Sequence, residues 1–223
     1  MNDSTKFPPQ ISPMFAVPVF TAYHPSPDSL NLELKRRFLD CERQKSVYAN
    51  QNPSLKQQDG VFESDFNVFS WPDQCIQQLR LFCWAELGKA IKSLNGYTDE
   101  EMQRIEIYSH TWFHVTRHGG FVINHIHSMA SWSGVYCVTP GETPDDKPES
   151  GVLRFHNPHY YSNMFLDPGN ARLRPPYHHG TWSFRLQPGL LILFPSWVPH
   201  EVLPFYGNDE RITVAFNTWF GMK

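Results

Sequence analysis

The sequence carries little charge, and the charge is not concentrated in any one region. Acidic and basic residues make up 18% of the 223 residues, and the formal net charge is −3. The basic residues are scattered, with no run longer than the triplet at residues 35–37. Such a chain offers no electrostatic footprint for nucleic acid, so we expect no nucleic-acid partner.

Long apolar runs and paired cysteines are also missing. No stretch approaches the ~18 uninterrupted apolar residues of a membrane-spanning helix, and the N-terminus lacks a secretory-signal pattern. Cys41, Cys75, Cys83 and Cys137 form no CxxC pair, which is typical of small core residues rather than of redox or metal chemistry. We expect a cytoplasmic protein without a membrane partner, and the sequence leaves open whether it is a homo-oligomer.

The periodicity changes once along the chain, which we expect to form a single domain over residues 1–223. Residues 1–104 contain stretches of helical spacing, whereas residues 105–220 contain short β-rich runs bounded by Pro, Gly, Asn and Asp. The predicted strands are Ile105–Val115, Phe121–His127, Ser133–Thr139, Gly151–Phe155, Thr181–Leu186, Leu190–Phe194 and Arg211–Trp219. Short strands in this arrangement favour a sandwich or barrel, so the fold class is α+β, mainly β, with the helices packed outside.

The first part of the chain is punctuated by prolines and then becomes helical. Residues Phe15–Phe20 are predicted to form an edge strand, and a helix begins near Asp28. Residues 51–67 are polar and predicted to form a loop. A second helix is predicted from a cap at Ser70 to a stop at Gly96.

Two further segments have sequence features that predict local structure. Pro72 is placed in the first turn of the second helix, and Thr98 with Glu101 resembles a capping box for a short turn. Residues 157–179 form a long insertion rich in Tyr, Pro, Asn and His. Loops of that length are unusual in compact domains unless they cover a site, so segments 156–161 and 178–179 are candidates to cover one, and the alternative is that their histidines lie in a solvated loop.

Two histidines share one face of a predicted strand. Residues i and i+2 of a strand point the same way, so His125 and His127 project together while Ile126 faces the other layer. Neutral imidazoles side by side suit a first-row transition metal. A strand pair cannot complete a metal site alone, so a third ligand must come from elsewhere.

The best candidate for that third ligand is His200. The apolar strand Leu190–Phe194 runs into a turn bounded by Pro195 and Pro199, and this turn presents the histidine. Proline on both sides limits the turn's freedom and fixes the imidazole in place. The alternative is that His200 only caps a strand end.

An arginine follows His200 at the start of the last strand. Arg211 and Thr213 share a face of that strand, and a guanidinium that faces into a barrel needs an anionic partner. A bound carboxylate satisfies it, with the Thr213 hydroxyl as a further donor. The alternative is an ordinary ion pair with Asp209, Glu210 or another acidic side chain.

Taken in order, these segments resemble a known superfamily over roughly residues 105–220. The segments are Asn124-His125-Ile126-His127, Ser133-Gly134-Val135-Tyr136, Leu153-Arg154-Phe155, Phe194-Pro195-Ser196-Trp197-Val198-Pro199-His200 and Glu210-Arg211-Ile212. Together they look like a poorly characterised bacterial and phage group of 2-oxoglutarate/Fe(II) oxygenases. That group belongs to the double-stranded β-helix (jelly-roll, cupin-like) superfamily.

The resemblance implies a non-haem Fe(II) oxygenase that hydroxylates an unidentified small molecule or peptide with 2-oxoglutarate as cosubstrate. Iron would be bound by His125, His127 and His200. The 5-carboxylate of 2-oxoglutarate would pair with Arg211 and Thr213. The resemblance further implies second-sphere or cosubstrate contacts, which we assign to Asn124, Tyr136 and Asn217.

One residue departs from the superfamily's pattern. Most members carry Asp or Glu where this chain carries His127, and a carboxylate helps to hold Fe(II). Three imidazoles are closer to cupin dioxygenases that use no 2-oxoglutarate. Three alternatives therefore stay open: such a three-His dioxygenase, an acidic ligand elsewhere in the chain, or a non-enzymatic jelly roll that holds zinc or nickel.

Overall fold

The structure is a computed structural model, and it describes residues 10–52, 60–159, 161–162 and 164–223. The helices are α1 (Pro27–Arg43), α2 (Lys45–Tyr48), α3 (Gln74–Asn95) and α4 (Asp99–Gln103). The strands are β1 (Phe20–Tyr23), β2 (Val61–Glu63), β3 (Ile105–Thr116), β4 (Val122–His125), β5 (Trp132–Thr139), β6 (Leu153–His156), β7 (Thr181–Phe184), β8 (Leu190–Pro195), β9 (His200–Val202) and β10 (Arg211–Met222). No helix in these ranges is long and apolar enough to cross a membrane.

The strands form two antiparallel sheets that pack face to face. The larger sheet has the order β1-β8-β5-β10-β3-β2, and the smaller has the order β4-β9-β6-β7. Apolar side chains of both sheets meet between them, among them Ile192 and Phe194 of β8 with Leu153 and Phe155 of β6. The fold class predicted from the sequence is confirmed, with the expected barrel built as two facing sheets.

A second core joins the helices to the outer face of the larger sheet. Leu34 and Phe38 of α1 and Leu79 of α3 pack in the same cluster as Phe113 and Val214 of the sheet. The rings of Phe38 and Phe113 are stacked with centroids 4.1 Å apart. The helices therefore lie outside the jelly roll, as expected, and leave the space between the sheets free for a site.

Strand β8 shows how the sequence specifies both cores. All six of its residues are buried, because alternate side chains serve opposite faces of a sheet that is covered on both sides. Leu191 and Leu193 belong to the helix-facing core, whereas Leu190 and Ile192 belong to the core between the sheets. The uninterrupted apolar run at 190–194 is the sequence signature of this double burial.

The ends of α3 and the start of α4 agree with the sequence in two of three respects. The capping box is confirmed, since Thr98 and Glu101 exchange side-chain-to-backbone hydrogen bonds at the start of α4. Gly96 ends α3 in a left-handed conformation with φ +71°. The predicted start of α3 is wrong, because Ser70 ends a single 3-10 turn and the N-cap residue of the helix is Asp73.

The N-terminal strand and the predicted loop also differ from expectation. Strand β1 begins at Phe20 rather than Phe15, and its pairing with β8 starts after Pro18, which has no N–H to donate to a ladder. Within the predicted loop at residues 51–67, β2 pairs with β3 at the sheet edge. Residues 53–59 of that loop lie outside the described residues.

Candidate metal centre

The three histidines singled out from the sequence come together between the two sheets. One ring nitrogen from each of His125, His127 and His200 lies within 4.8 Å of the others. Ring centroids are 4.3 Å apart for His125 and His200, 4.7 Å for His125 and His127, and 5.1 Å for His127 and His200. Among the described residues this is the cluster whose donor atoms are placed to bind one metal ion.

Backbone pairing explains why these histidines meet. His125 ends β4 and His200 begins β9, and the two residues face each other directly across the antiparallel pair. The backbone N–H of His127 donates to the carbonyl of Ser196 at 2.9 Å, which ties the segment after β4 to the Pro-bounded turn. The pairing of β4 with β9 and this hydrogen bond therefore bring the three imidazoles together.

Two of the rings are oriented by the backbone beneath them. Nδ1 of His125 lies 2.8 Å from the carbonyl oxygen of Ile123, and Nδ1 of His200 lies 2.9 Å from that of Val198. A carbonyl oxygen only accepts, so Nδ1 carries the proton and donates in both cases. Nε2 is then left with its lone pair, which is the arrangement that metal-ligating histidines use.

Burial keeps these imidazoles neutral. It lowers the pKa of His200 to about 3 and that of His127 to about 4, and it also lowers the pKa of His125. Each neighbouring imidazole adds to this effect, because two positive rings so close together would repel. The three rings are neutral near pH 7, so this donor set fits a first-row transition metal ion such as Fe(II).

These depressed pKa values predict a pH dependence of folding in the metal-free protein. The unfolded chain takes up protons at these histidines near pH ~6.5, whereas the folded chain takes them up only at lower pH. The free energy of unfolding should therefore be steady above about pH 7 and fall as the pH drops from about 6.5 to about 4. Urea unfolding at a series of pH values tests this, and His200→Ala should flatten the slope. An equally steep slope in that variant would contradict the assignment.

The histidines line a cavity of about 130 Å³, roughly four times the ~30 Å³ that one water molecule takes up in the liquid. Arg211, Thr213 and Asn217 line the same cavity. They project from alternate positions of β10, so they share the face that points between the sheets. The remaining lining residues are Glu63, Phe66, His110, Trp112, His114, Val122, Ser133, Gly134, Val135, Leu153, Phe194, Val202, Ala215 and Phe216.

Arg211 is a buried cation on the wall of this cavity. The residue is 2% exposed, and its Nε donates to the carbonyl of Gly151 at 2.9 Å. Burial lowers the pKa of Arg211 to about 10. Within the described residues it forms no ion pair, because Glu210 pairs with Lys35 and Arg117 instead. A guanidinium in this position is suited to an anionic ligand.

Of the three residues assigned to cosubstrate contacts, the structure places one in the cavity lining and two outside it. Asn217 lines the cavity and accepts a hydrogen bond from the Ser133 hydroxyl at 2.7 Å. Tyr136 does not, because it lies on the helix-facing side of β5 and donates to Oδ1 of Asn31 at 2.8 Å. Asn124 is exposed and lies outside the cavity lining, since β4 shifts register between Val122 and His125.

Two polar residues of the cavity wall escaped the sequence reasoning. Glu63 of β2 faces His114 of β3 across the sheet, with Oε2 and Nε2 2.9 Å apart, and Glu63 also accepts from Nδ2 of Asn50 at 2.8 Å. His114 in turn lies opposite Thr213 in the sheet register. The sequence pattern that could have indicated His114 is the i, i+2 spacing of His110, Trp112 and His114, which places these three side chains on one face of a strand.

Removal of the Glu63 carboxylate should destabilise the fold. Glu63→Leu leaves the Asn50 amide and the His114 ring without their acceptor in a buried position, which should cost about 2–4 kcal/mol of unfolding free energy. Glu63→Gln keeps one acceptor oxygen and should recover part of that loss. The measurement is the urea midpoint, with Glu149→Gln as the control, because Glu149 pairs with Arg154 at the surface. Equal midpoints for Glu63→Leu and the control would refute the prediction.

Comparison with known proteins gives one family match and a set of solved structures with the same fold. Residues 110–217 match the model of the family described as "Putative 2OG-Fe(II) oxygenase". No curated protein sequence matches the chain.

Solved structures of the same fold come from several sources. A prolyl-4-hydroxylase from Pseudomonas putida is 21% identical with TM-score 0.51, and the match covers 92% of each chain. A Trichoplax adhaerens prolyl hydroxylase, in complex with a hypoxia inducible factor oxygen degradation domain peptide fragment, is 13% identical with TM-score 0.53 and coverage of 90% and 83%. HygX from Streptomyces hygroscopicus, with nickel, 2-oxoglutarate and hygromycin B bound, is 8% identical with TM-score 0.56 and coverage of 91% and 83%.

These likenesses show the double-stranded β-helix fold, and the family match covers the segment that holds all three histidines and Arg211. Three neutral imidazoles and a buried guanidinium could hold a metal ion and a carboxylate in this segment. Residues 110–217, just under half of the chain, therefore match the family of 2OG-Fe(II) oxygenases, and the solved structures show the same fold.

Proposed function

We propose that this protein is an Fe(II) dioxygenase that couples the oxidation of 2-oxoglutarate to the hydroxylation of a prime substrate. The observation that carries the proposal is the pairing of two features in one cavity. Three neutral imidazoles converge at one point, and Arg211 is buried without an ion-pair partner among the described residues. Bound Fe(II) would let 2-oxoglutarate and oxygen react to give succinate, carbon dioxide and a hydroxylated product.

The protein's own residues prepare the site for these ligands. Backbone carbonyls hold the rings of His125 and His200 in the tautomer that leaves Nε2 free. The guanidinium of Arg211, with the Thr213 hydroxyl on the same strand face, would bind the 5-carboxylate of 2-oxoglutarate. Ser133 fixes the Asn217 amide at the cavity wall, where it would orient the bound cosubstrate.

The direct test is turnover of 2-oxoglutarate without a prime substrate. With Fe(II) supplied, the purified protein should convert 2-oxoglutarate to succinate slowly and only in the presence of oxygen. The His118→Ala protein, altered at an exposed histidine outside the cavity, should keep this activity. No succinate from protein that demonstrably binds Fe(II) would overturn the proposal.

A second function is favoured by one observation, the absence of a carboxylate from the described three-histidine cluster. A three-His dioxygenase would consume oxygen in an iron-dependent reaction on some substrate, with 2-oxoglutarate having no effect. Metal analysis of protein purified without an affinity tag separates both functions from a non-enzymatic jelly roll, which would hold zinc or nickel.

The proposals for the partners and the location of the protein rest on the charge and composition of the chain. We propose a small molecule or a peptide as prime substrate and no nucleic acid, because the net charge is only −3 and the basic residues are scattered. We propose a cytoplasmic location and a single domain over residues 1–223. Sedimentation would decide between a monomer and a homo-oligomer.

A further inference from the structure

A second and larger cavity lies beside the metal centre. Its volume is about 600 Å³, and it is an open cavity lined by residues 13–17, 19 and 21 and by residues 156–159, 162, 176–178 and 180 of the insertion. Side chains of β7 and the ring of Phe155 form further parts of the wall. We propose that this second cavity binds the prime substrate, and that the substrate is an uncharged organic molecule with an apolar or aromatic body. This inference rests on the proposed oxygenase function.

The chemistry of the walls determines the class of ligand. Aromatic and aliphatic side chains dominate, with Phe15, Val17, Trp182 and Phe184 among them. Among the described residues, no Asp, Glu, Lys or Arg lines the cavity. A charged ligand would lose part of its hydration against these walls without gaining a counter-charge, which is unfavourable. The volume lies in the ~300–1,000 Å³ range of cavities that bind small organic molecules.

A few polar groups give the ligand its orientation. Thr21, Asn157 and Ser162 line the cavity beside the apolar side chains. Their hydroxyl and amide groups can donate to or accept from a ligand hydroxyl, amide or carbonyl. His178 also lines the cavity, and its ring meets the edge of Trp182 with centroids 5.3 Å apart. The substrate therefore carries at least one uncharged polar group as well as its apolar body.

The second cavity adjoins the metal centre through one aromatic ring. Phe155 lines the second cavity, and its centroid lies 5.9 Å from that of His200 and 4.7 Å from that of Phe194. His200 and Phe194 both line the metal cavity. The Phe155 ring thus stands between the two spaces, so a substrate in the second cavity would lie one aromatic ring away from the metal ligands.

The insertion leaves the smaller sheet at the same end. The backbone N–H of His156, the last residue of β6, donates to the carbonyl of Pro199 at 2.9 Å, directly before His200. His159 then contacts the carbonyl of Phe15 through Nε2 at 3.3 Å, so the insertion and the N-terminal segment are joined over the cavity. The insertion and the N-terminal segment therefore lie together next to the metal ligands.

The first experiment measures the ligand class with defined probes. Prodan, an uncharged naphthalene fluorophore, should bind the protein with a blue-shifted emission. The anionic 8-anilinonaphthalene-1-sulfonate should bind at least about tenfold more weakly. Trp182→Ala and Tyr177→Ala should each weaken Prodan binding by about tenfold, whereas Trp182→Phe should retain most of it.

The matched control is Trp197→Ala. Trp197 is 50% exposed and Trp182 is 47% exposed, but Trp197 does not line the cavity. Prodan affinity should be unchanged in this variant. Equal binding of the two probes, or equal effects of Trp182→Ala and Trp197→Ala, would overturn the proposed pocket.

The second experiment tests the distance to the metal site. Mn(II) bound to the protein should broaden the proton resonances of bound Prodan, whereas Zn(II) should not. His200→Ala should abolish the broadening and leave the fluorescence titration unchanged. Mn(II) that binds without broadening the Prodan signals would overturn the substrate assignment. Failure of Mn(II) to bind at all would instead contradict the proposed function, and the fluorescence result would still decide the ligand class of the cavity.

Discussion

His200→Ala should reduce Fe(II) affinity and the conversion of 2-oxoglutarate to succinate by at least about 100-fold. Loss of a residue that only supports a metal ligand costs about 10- to 100-fold in affinity or activity, so loss of a ligand should reach the upper end or exceed it. His200 is 5% exposed and lies opposite His125 in the strand pair, and among the described residues the metal cluster contains no fourth donor that could replace it. Metal titration and a succinate assay measure both effects.

The control for this variant is His118→Ala. His118 is an exposed histidine whose ring packs against Tyr206, outside the metal cavity. Its replacement should leave metal affinity and turnover within twofold. If His200→Ala bound Fe(II) as tightly as this control, the three-histidine site would have to be abandoned.

Arg211→Met should weaken 2-oxoglutarate binding by roughly 100-fold and, at the same time, stabilise the ligand-free protein. The first effect follows because a charge-assisted pair in a buried site is worth about 3 kcal/mol when one partner is removed. The second follows because Arg211 is buried without an ion-pair partner in the described residues, and an apolar side chain avoids that desolvation penalty. We expect a gain of about 1–2 kcal/mol in the free energy of unfolding.

Calorimetry with Mn(II)-loaded protein and thermal unfolding without ligand measure these two effects separately. Arg36→Met is the control, because Arg36 is exposed on α1 and does not line the cavity. Arg211→Lys keeps the charge but not the planar fork, so it should fall between the wild type and Arg211→Met. Unchanged 2-oxoglutarate affinity in Arg211→Met would favour the three-His dioxygenase instead.

The sequence predicted the histidine pair from the geometry of a strand over Phe121–His127, but β4 ends at His125 and His127 lies in the segment after it. The two rings still meet, because the backbone N–H of His127 donates to the carbonyl of Ser196 and holds that segment against the turn before His200. Local strand geometry does not predict that His125 meets His200. The two residues are 75 positions apart, and they come together only because β4 pairs with β9 in the folded protein. The Pro-bounded turn and the resemblance to a known family supplied that link.

Tyr136 shows where the same reasoning fails. Alternation separates Ser133 and Val135 from Tyr136, but β5 is buried on both faces, so apolar character does not reveal which set faces the cavity. Glu63 escaped for another reason. Its strand has only three residues inside a polar segment, too short for any periodicity to be recognised.

Strand β10 has a consequence for how such a protein can change over generations. Its odd positions from Arg211 to Asn217 line the metal cavity, whereas Ile212 and Val214 pack in the core that joins the helices to the sheet, and Phe216 contributes to both. Replacements at odd positions can alter which ligand is accepted while the helix contacts persist, and replacements at even positions act mainly on folding. An insertion or deletion of one residue would exchange the two sets and ruin both. Lineages descended from this chain should therefore diverge along this strand by substitution and not by changes of length.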